Sequence, residues 1–457
     1  MKQKVAFVFA AVLLPASFLG IPTIAEERVC HSSAAVIFQE VDVDENLANC
    51  LAFAEDGDAK AQSDLGTMYS FGAGVVQDYA AAVKWFTAAA EQGDAAAQFS
   101  LGYMYYKGTG VVQDYAAAVK WYVAAAEQGD AAAQLSLGYM YYKGTGVVQD
   151  YAVAIKWFTA TAEQGNAAAQ NSLGHMYNDG MGVVQDYAVA VKWFTTAAEQ
   201  GLADAQVSLG LMYYNGRGVV QDYAAAVKWY TAAAEQGYDI GQFNLGYMYD
   251  KGEGVVQDYA AAVKWYTAAA EQGFANAEFN LGYMYAKGEG VVQDYAAAVK
   301  WYTAAAEQGH GYAQFNLGLM YDKGEGVVQD YAAAVKWYTA AAEQDNFGAQ
   351  FNLGLMYYKG EGVVQDYAAA VKWYTAAAEQ GYAGAQNNLG NMYEKGMGVA
   401  ENLLIAHMWY NIAASLGNEK GMENRDLVAG KLTQALIAEA QGFARDCIAS
   451  AYKNCRK

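Results

Sequence analysis

A unit of 36 residues recurs ten times in succession, and this repetition constrains the fold more than any other feature of the sequence. The copy that begins at Gly93 reads GDAAAQFSLGYMYYKGTGVVQDYAAAVKWYVAAAEQ, and the copy at Gly129 is nearly identical. The copies, numbered 1 to 10 below, cover residues 57–416 without an insertion. Repeats of roughly 20–50 residues stack on their neighbours, because a single unit cannot bury its own apolar face. The sequence therefore predicts an extended array rather than one globular core.

Each unit is expected to form two helices separated by a glycine turn. In repeat 2 the turn contains Gly108 and Gly110, which break the first helix. Asp114 is a suitable N-cap for a second helix that runs from Tyr115 to about Gln128, and Gly129 then ends it. The apolar residues of the first helix share one face: Ala97, Leu101, Met104 and Tyr105. The fold class predicted from this pattern is all-α.

The motif A-x-x-x-LG-x-MY-x-x-G-x-GV-x-QD-YA-x-A-x-KWY-x-x-AAEQG resembles the Sel1-like repeat, a relative of the tetratricopeptide repeat. The resemblance implies antiparallel helix pairs stacked into a right-handed α-solenoid superhelix whose first helices line the concave face. It also implies an adaptor that binds other proteins, and many bacterial members are exported. Some secreted, cysteine-rich relatives are associated with penicillin binding, which leaves a weak hydrolase of β-lactams or cell-wall peptide as the alternative function.

The first 25 residues have the pattern of a signal peptide. Lys2 and Lys4 precede the apolar run Val5–Leu14, and Thr23-Ile24-Ala25 resembles a cleavage site. We therefore expect a periplasmic or secreted bacterial protein with no integral membrane segment in the mature chain. An uncleaved membrane anchor is the alternative interpretation, but the run is short for a span of about 20 residues.

The four cysteines lie outside the repeats and agree with export. An even number of cysteines in an oxidising compartment indicates disulfides, and four of them allow three connectivities. The simplest is local pairing, of Cys30 with Cys50 and of Cys447 with Cys455. A metal site is the alternative, but the spacing matches no zinc pattern, so no metal is expected.

The segments on either side of the array are predicted to cap it. Residues 26–56 include a half-repeat helix, Leu47–Glu55, that aligns with the second helix of a unit. Residues 417–457 form the C-terminal cap, in which one more helix is predicted from Leu432 to Tyr452 with Thr433 as its N-cap.

Comparison among the repeats separates constant positions from variable ones. Every copy keeps the equivalents of Leu101, Met104 and Tyr105, whereas a second stripe through Ala96, Phe99, Tyr103 and Tyr106 varies. We interpret the last two positions of this stripe as a groove for a protein or peptide, because aromatic anchors dominate binding sites. Packing between adjacent first helices is the alternative, and it is favoured at the Phe99 position. The candidate groove residues are Tyr103, Tyr106, Tyr139, Tyr142, Tyr214, Tyr247, Tyr283, Leu319, Leu355 and Tyr358.

The net charge of −20 makes nucleic acid and anionic membrane surfaces poor partners. No cofactor or catalytic residue is expected. Ser450 and Lys453 match the S-x-x-K nucleophile motif, but its Ser-Asp-Asn and Lys-Thr-Gly companions are absent. His175 and His310 are single departures from the repeat pattern without an evident partner carboxylate, and we interpret them as surface or lining residues.

Overall fold

The computed structural model describes residues 30, 43–453 and 455, which contain helices and no strand. The helices, named α1 to α23, belong to two compact units that divide after Gly165. After α1, each repeat contributes one helix pair, so the first helices carry even numbers from α2 to α20. The predicted all-α repeat array is confirmed.

The first unit holds the N-terminal half-repeat and repeats 1–3. Its helices are α1 Val43–Glu55, α2 Ala59–Phe71, α3 Tyr79–Glu91, α4 Ala95–Lys107, α5 Tyr115–Glu127, α6 Ala131–Lys143 and α7 Tyr151–Glu163.

The second unit holds repeats 4–10 and the C-terminal cap. Its first seven helices are α8 Ala167–Asp179, α9 Tyr187–Glu199, α10 Ala203–Asn215, α11 Tyr223–Glu235, α12 Asp239–Lys251, α13 Tyr259–Ala270 and α14 Ala275–Lys287. The remaining nine are α15 Tyr295–Glu307, α16 Gly311–Lys323, α17 Tyr331–Ala342, α18 Phe347–Lys359, α19 Tyr367–Glu379, α20 Ala383–Lys395, α21 Leu403–Ser415, α22 Glu419–Ala429 and α23 Gln434–Ala449.

Capping residues set the helix boundaries in the way that the repeat pattern predicts. In repeat 2 the Asp94 side chain accepts a hydrogen bond from the Ala97 amide at 2.7 Å, and Asp114 accepts one from the Ala117 amide at 3.0 Å. Gly108 ends α4 in the left-handed conformation, with φ of 70°. These bonds satisfy backbone groups that a helix end would otherwise leave without partners.

Glycine allows the two helices of a repeat to approach closely. A Cβ atom on Gly102 would lie 2.8 Å from Cδ1 of Tyr122, the buried ring of the partner helix. Gly110, with φ of 73°, brings the turn of repeat 2 against the start of α3, where a Cβ would lie 2.4 Å from the Tyr79 carbonyl oxygen. The constant glycines therefore serve contacts within and between repeats.

In the first unit each core cluster joins the second helix of one repeat to the first helix of the next, at positions that vary little between repeats. In repeat 2, Leu101, Met104, Ala118, Tyr122 and Ala125 are all at most 3% exposed. Leu101 and Met104 belong to a cluster with the second helix of repeat 1, whereas Ala118, Tyr122 and Ala125 belong to one with the first helix of repeat 3. This nearest-neighbour packing is typical of solenoid proteins.

Within each compact unit, a buried glutamine links most repeats to the preceding one. Gln98 donates through Nε2 to the Ala90 carbonyl of repeat 1 at 3.1 Å, and its Oε1 accepts from Gln128 of its own repeat at 2.8 Å. The same pair recurs in the second unit, where Gln236 donates to Gln206. We call this series of paired side chains the glutamine ladder.

The N-terminal half-repeat is present, but α1 begins at Val43, four residues before the predicted start at Leu47. It joins the array as a second helix does, because Gln62 donates to its Ala54 carbonyl at 2.9 Å. A disulfide joins Cys50, which is fully buried, to Cys30.

The C-terminal cap differs from the prediction of a single helix from Leu432 to Tyr452. A further helix, α22, occupies Glu419–Ala429, and α23 ends at Ala449 instead of Tyr452. The helix α22 was missed because it has almost no apolar face and relies on packing against α21. Thr433 is the N-cap of α23, as predicted, and Cys447 pairs with Cys455.

The proposed signal peptide, residues 1–25, lies outside the described residues. Among the residues that the structure describes, no helix has the length and apolar character needed to span a membrane.

Candidate partner-binding surface

We call the positions equivalent to Tyr103 and Tyr106 the tyrosine stripe. In the first unit, Tyr103, Tyr106, Tyr139 and Tyr142 are all partly exposed, whereas their neighbours Leu101 and Met104 are buried. Within each repeat the two tyrosines are three residues apart, so they lie on the same face of the helix. The stripe therefore combines apolar rings with hydroxyl groups that remain near solvent.

Contacts hold the rings of the stripe in place. Tyr106 packs on Tyr115 with ring centroids 5.4 Å apart, and Tyr142 packs on Tyr151 at 5.5 Å. Lys107 extends over the rings of both stripe tyrosines of repeat 2, with Nζ 5.8 and 5.6 Å from their centroids. Tyr106 and Tyr142 are thus held by neighbouring rings while they remain partly exposed, and rings held in place lose little entropy when a partner binds.

The equivalent positions of the second unit vary more. Tyr283 is 41% exposed, and Tyr214 packs on both Tyr223 and Tyr247. Burial, then hydrogen bonding to Tyr247 and Glu253, raises the pKa of Tyr214 above its ordinary value. The other candidates, Leu319, Leu355 and Tyr358, are partly exposed.

The position of Phe99 has a packing role within its own repeat, and the packing between adjacent first helices that was favoured for it stays a prediction. Its ring lies 5.6 Å from that of Tyr122, the buried tyrosine of its own second helix. Equivalent pairs recur in the second unit: Phe243–Tyr266, Phe279–Tyr302, Phe315–Tyr338 and Phe351–Tyr374.

Repeat 4 replaces the stripe with polar residues, and these have partners that the sequence did not suggest. His175 lies with Nε2 3.9 Å from Oδ2 of Asp204 in repeat 5. That carboxylate also accepts from Asn171 Nδ2 at 2.7 Å and from the Tyr238 hydroxyl at 3.1 Å. The interpretation of His175 as a residue without a partner carboxylate was therefore wrong.

This polar cluster keeps its carboxylate ionised. The His175 imidazole, opposed by burial, holds the pKa of Asp204 below its ordinary value. The signal that could have revealed the pair is that Asp204 and His175 are departures from the pattern in adjacent repeats. The cluster has no hydroxyl nucleophile bonded to the imidazole, so its geometry does not match a catalytic triad.

The S-x-x-K segment has a geometry that does not support catalysis. Ser450 follows the last residue of α23, and its hydroxyl donates to the backbone carbonyls of Cys447 and Lys453. Ala451 and Tyr452 have positive φ values, so Lys453 is not one turn along a helix from the serine. Among the described residues, no group of three or more His, Cys, Asp or Glu side chains could hold a metal ion.

Comparisons with known proteins agree with this architecture. The Sel1 repeat family matches ten consecutive segments: 59–94, 95–130, 131–166, 167–202, 203–238, 240–274, 275–310, 311–346, 348–382 and 383–418. No significant match is found among curated proteins.

Two solved structures share sequence as well as fold. One is c5321, described as a protective antigen present in uropathogenic Escherichia coli strains with an SLR fold. It is 38% identical, with a TM-score of 0.77 and 92% of each chain covered. The other is a Sel1 repeat protein from Oxalobacter formigenes, 31% identical, with a TM-score of 0.52 over 81% of this chain and 97% of that one. The chain belongs to the Sel1 repeat family.

Proposed function

We propose that this protein is an exported scaffold that binds a protein or peptide through the tyrosine stripe. The observation that carries the proposal is a contrast between adjacent positions of one helix face. Leu101 and Met104 are buried and constant in all ten copies, whereas Tyr103 and Tyr106 are partly exposed and vary from copy to copy. Packing constrains the former, while the latter are available to select a partner.

The chemistry of the stripe suits a partner segment with both apolar side chains and backbone polar groups. A tyrosine ring offers a large rigid contact area, and its hydroxyl both donates and accepts hydrogen bonds. Lysines lie beside the rings in several repeats, such as Lys143 by Tyr139 and Lys287 by Tyr283. These cations favour a partner that carries carboxylates near its apolar anchors.

Export rests on the leader together with the cysteines. The two disulfides suit an oxidising compartment, since thiols are kept reduced in the cytosol. The relative described as a protective antigen supports the same location by analogy, because an antigen is a protein that the host immune system meets.

The test is affinity capture from bacterial envelope extracts, with the purified protein as bait. A stripe variant carries Tyr103→Ser, Tyr139→Ser, Tyr247→Ser and Tyr283→Ser. Its control changes one exposed loop valine in each of the same four repeats: Val112→Ser, Val148→Ser, Val256→Ser and Val292→Ser, all at residues 88–89% exposed.

We expect the wild type and the valine control to retain the same partner, and the stripe variant to lose it. Capture of that partner by a folded stripe variant would show that the stripe does not bind it.

A further inference from the structure

The first residues of the first helices change character between the two ends of the array. In repeats 1–4 the N-cap is Asp58, Asp94, Asp130 or Asn166, and each side chain accepts from a backbone amide at 2.7–3.0 Å. In four later repeats no side-chain cap bond forms, because the N-caps are Leu202, Tyr238, Phe274 and Tyr382.

This change is unfavourable for the helices themselves. Replacing an Asp or Asn cap by a residue that cannot accept the amide hydrogen typically costs about 1 kcal/mol. Elsewhere the repeats are nearly identical, so a recurrent departure from a local rule points to a role outside folding.

The aromatic replacements form a partly exposed row at one edge of the second unit. The ring of Phe274 lies 5.1 Å from that of Phe243, and the ring of Tyr382 lies 5.0 Å from that of Phe351. His310 stacks on Phe279 at 4.7 Å while its Nδ1 still accepts the Ala313 amide. We call the following residues the aromatic edge: Tyr238, Phe274, His310, Tyr312, Phe347 and Tyr382.

Exposure on this edge is large for aromatic side chains. Tyr312 is 66% and Phe347 49% exposed, and the other four members are partly exposed. Exposed rings gathered in successive repeats, unlike single ones, indicate an interaction site.

The charged residues within the chain segments that carry these rings are all acidic. A glutamate ends, or lies next to the end of, each preceding second helix: Glu235, Glu271, Glu307, Glu343 and Glu379. Asp239 and Asp345 add two further carboxylates. The segments 235–243, 271–279, 307–315, 343–351 and 379–387 contain no lysine or arginine. Within each of these segments, aromatic rings and carboxylates therefore occur together without a lysine or arginine.

We infer that the aromatic edge binds an arginine-rich segment of another protein. A guanidinium group stacks on an aromatic face and also pairs with carboxylates, so it matches both features of the edge. A neutral sugar would stack on the rings but would gain little from the row of carboxylates. This surface uses different residues from the tyrosine stripe, so the inference does not depend on the proposed function.

The test is fluorescence anisotropy with the full chain and a labelled (Gly-Arg)5 amide peptide, compared with (Gly-Lys)5 and (Gly-Glu)5. The key variant combines Tyr238→Asn, Phe274→Asn and Tyr382→Asn. Asparagine restores the cap seen at Asn166 but removes ring packing and the Tyr238–Asp204 hydrogen bond, so the urea transition of this variant is compared with that of the wild type to establish that it is folded. Any loss of binding then cannot be due to unfolding.

We expect the arginine peptide to bind most tightly and the glutamate peptide not to bind. The asparagine variant should weaken arginine-peptide binding by about tenfold or more, consistent with losing several ring contacts. Changing Glu235, Glu271, Glu307 and Glu343 to Gln should reduce the salt dependence of binding. The stripe variant should bind the peptide as the wild type does.

Equal binding of the arginine and glutamate peptides, or unchanged binding by the asparagine variant, would overturn the inference. A different refutation would be wild-type binding to chitohexaose that the asparagine variant loses, without binding of the arginine peptide. That result would assign the edge to carbohydrate.

Discussion

Glu278 interrupts the glutamine ladder, and replacing it by Gln should stabilise the second unit. The nine remaining repeats all have Gln at this position, including Gln242 and Gln314 in the two neighbouring repeats. Glu278 is 4% exposed and still accepts from Gln308 at 2.7 Å. As a carboxylate it cannot donate to the Ala270 carbonyl, whereas Gln314 donates to its equivalent, Ala306, at 3.1 Å.

The magnitude follows from the bond that Gln restores. A buried hydrogen bond contributes about 1 kcal/mol, and removing an unmatched buried acceptor adds to this, so we expect about 1–2 kcal/mol at pH 7. Burial, partly offset by Gln308, raises the pKa of Glu278 above its ordinary value. Folding therefore disfavours the ionised form of Glu278. The stability that the protonated carboxyl contributes is fully present below the unfolded-state pKa and is lost as the pH rises through the folded-state pKa.

The assay is amide hydrogen exchange across α13 and α14 at pH 4 and pH 7, corrected for intrinsic rates. Local exchange is preferable to one global transition, because long repeat arrays depart from two-state unfolding. Glu278→Gln should slow exchange at pH 7 and have little effect at pH 4, where the protonated carboxyl can donate. The reverse change in the next repeat, Gln314→Glu, should speed exchange at pH 7. Equal effects of Glu278→Gln at both pH values would refute the reasoning.

Three further predictions concern the core and the C-terminal end. Leu416 occupies the position of the ladder donor in repeat 10, and Oε1 of the buried Gln386 has no hydrogen-bond partner. Leu416→Gln should therefore stabilise α20 and α21 by about 1 kcal/mol, measured by hydrogen exchange. The control Leu416→Met should not stabilise them. Burial, and then Arg425, lowers the pKa of His407, so folding favours the neutral imidazole. The stability that this contributes is fully present above the unfolded-state pKa and is lost as the pH falls through the folded-state pKa. His407→Val should therefore raise the melting temperature at pH 5 more than at pH 8. Gly102→Ala should destabilise repeat 2 by about 1–3 kcal/mol in urea, although alanine favours helices, because its Cβ would meet Tyr122; stabilisation instead would show that the helices can separate.

Local rules predicted most of the repeat from the sequence. The cap at Asp114 and the turn at Gly108 depend on neighbours within four residues, which the sequence displays directly. The link between His175 and Asp204 joins different repeats, so helical periodicity within one unit could not reveal it.

The terminal helix α22 shows a different limit of sequence reasoning. Its order depends on the surface of α21 rather than on an apolar face of its own, so no periodic signal marks it. The tyrosine stripe was predicted as a set of positions, and the structure shows those positions to be partly exposed. Binding there stays a prediction, because exposure alone does not identify a partner.

The second helices of repeats 5–9 begin with the same twelve residues, YAAAVKWYTAAA. Since each repeat contacts mainly its neighbours, a first helix would find an equivalent docking surface on any of these five. Duplication or deletion of one whole 36-residue repeat in this region would therefore allow the core and ladder contacts to re-form at the junction. The length of the molecule can change in steps of 36 residues, while the residues that differ between repeats carry the identity of each position.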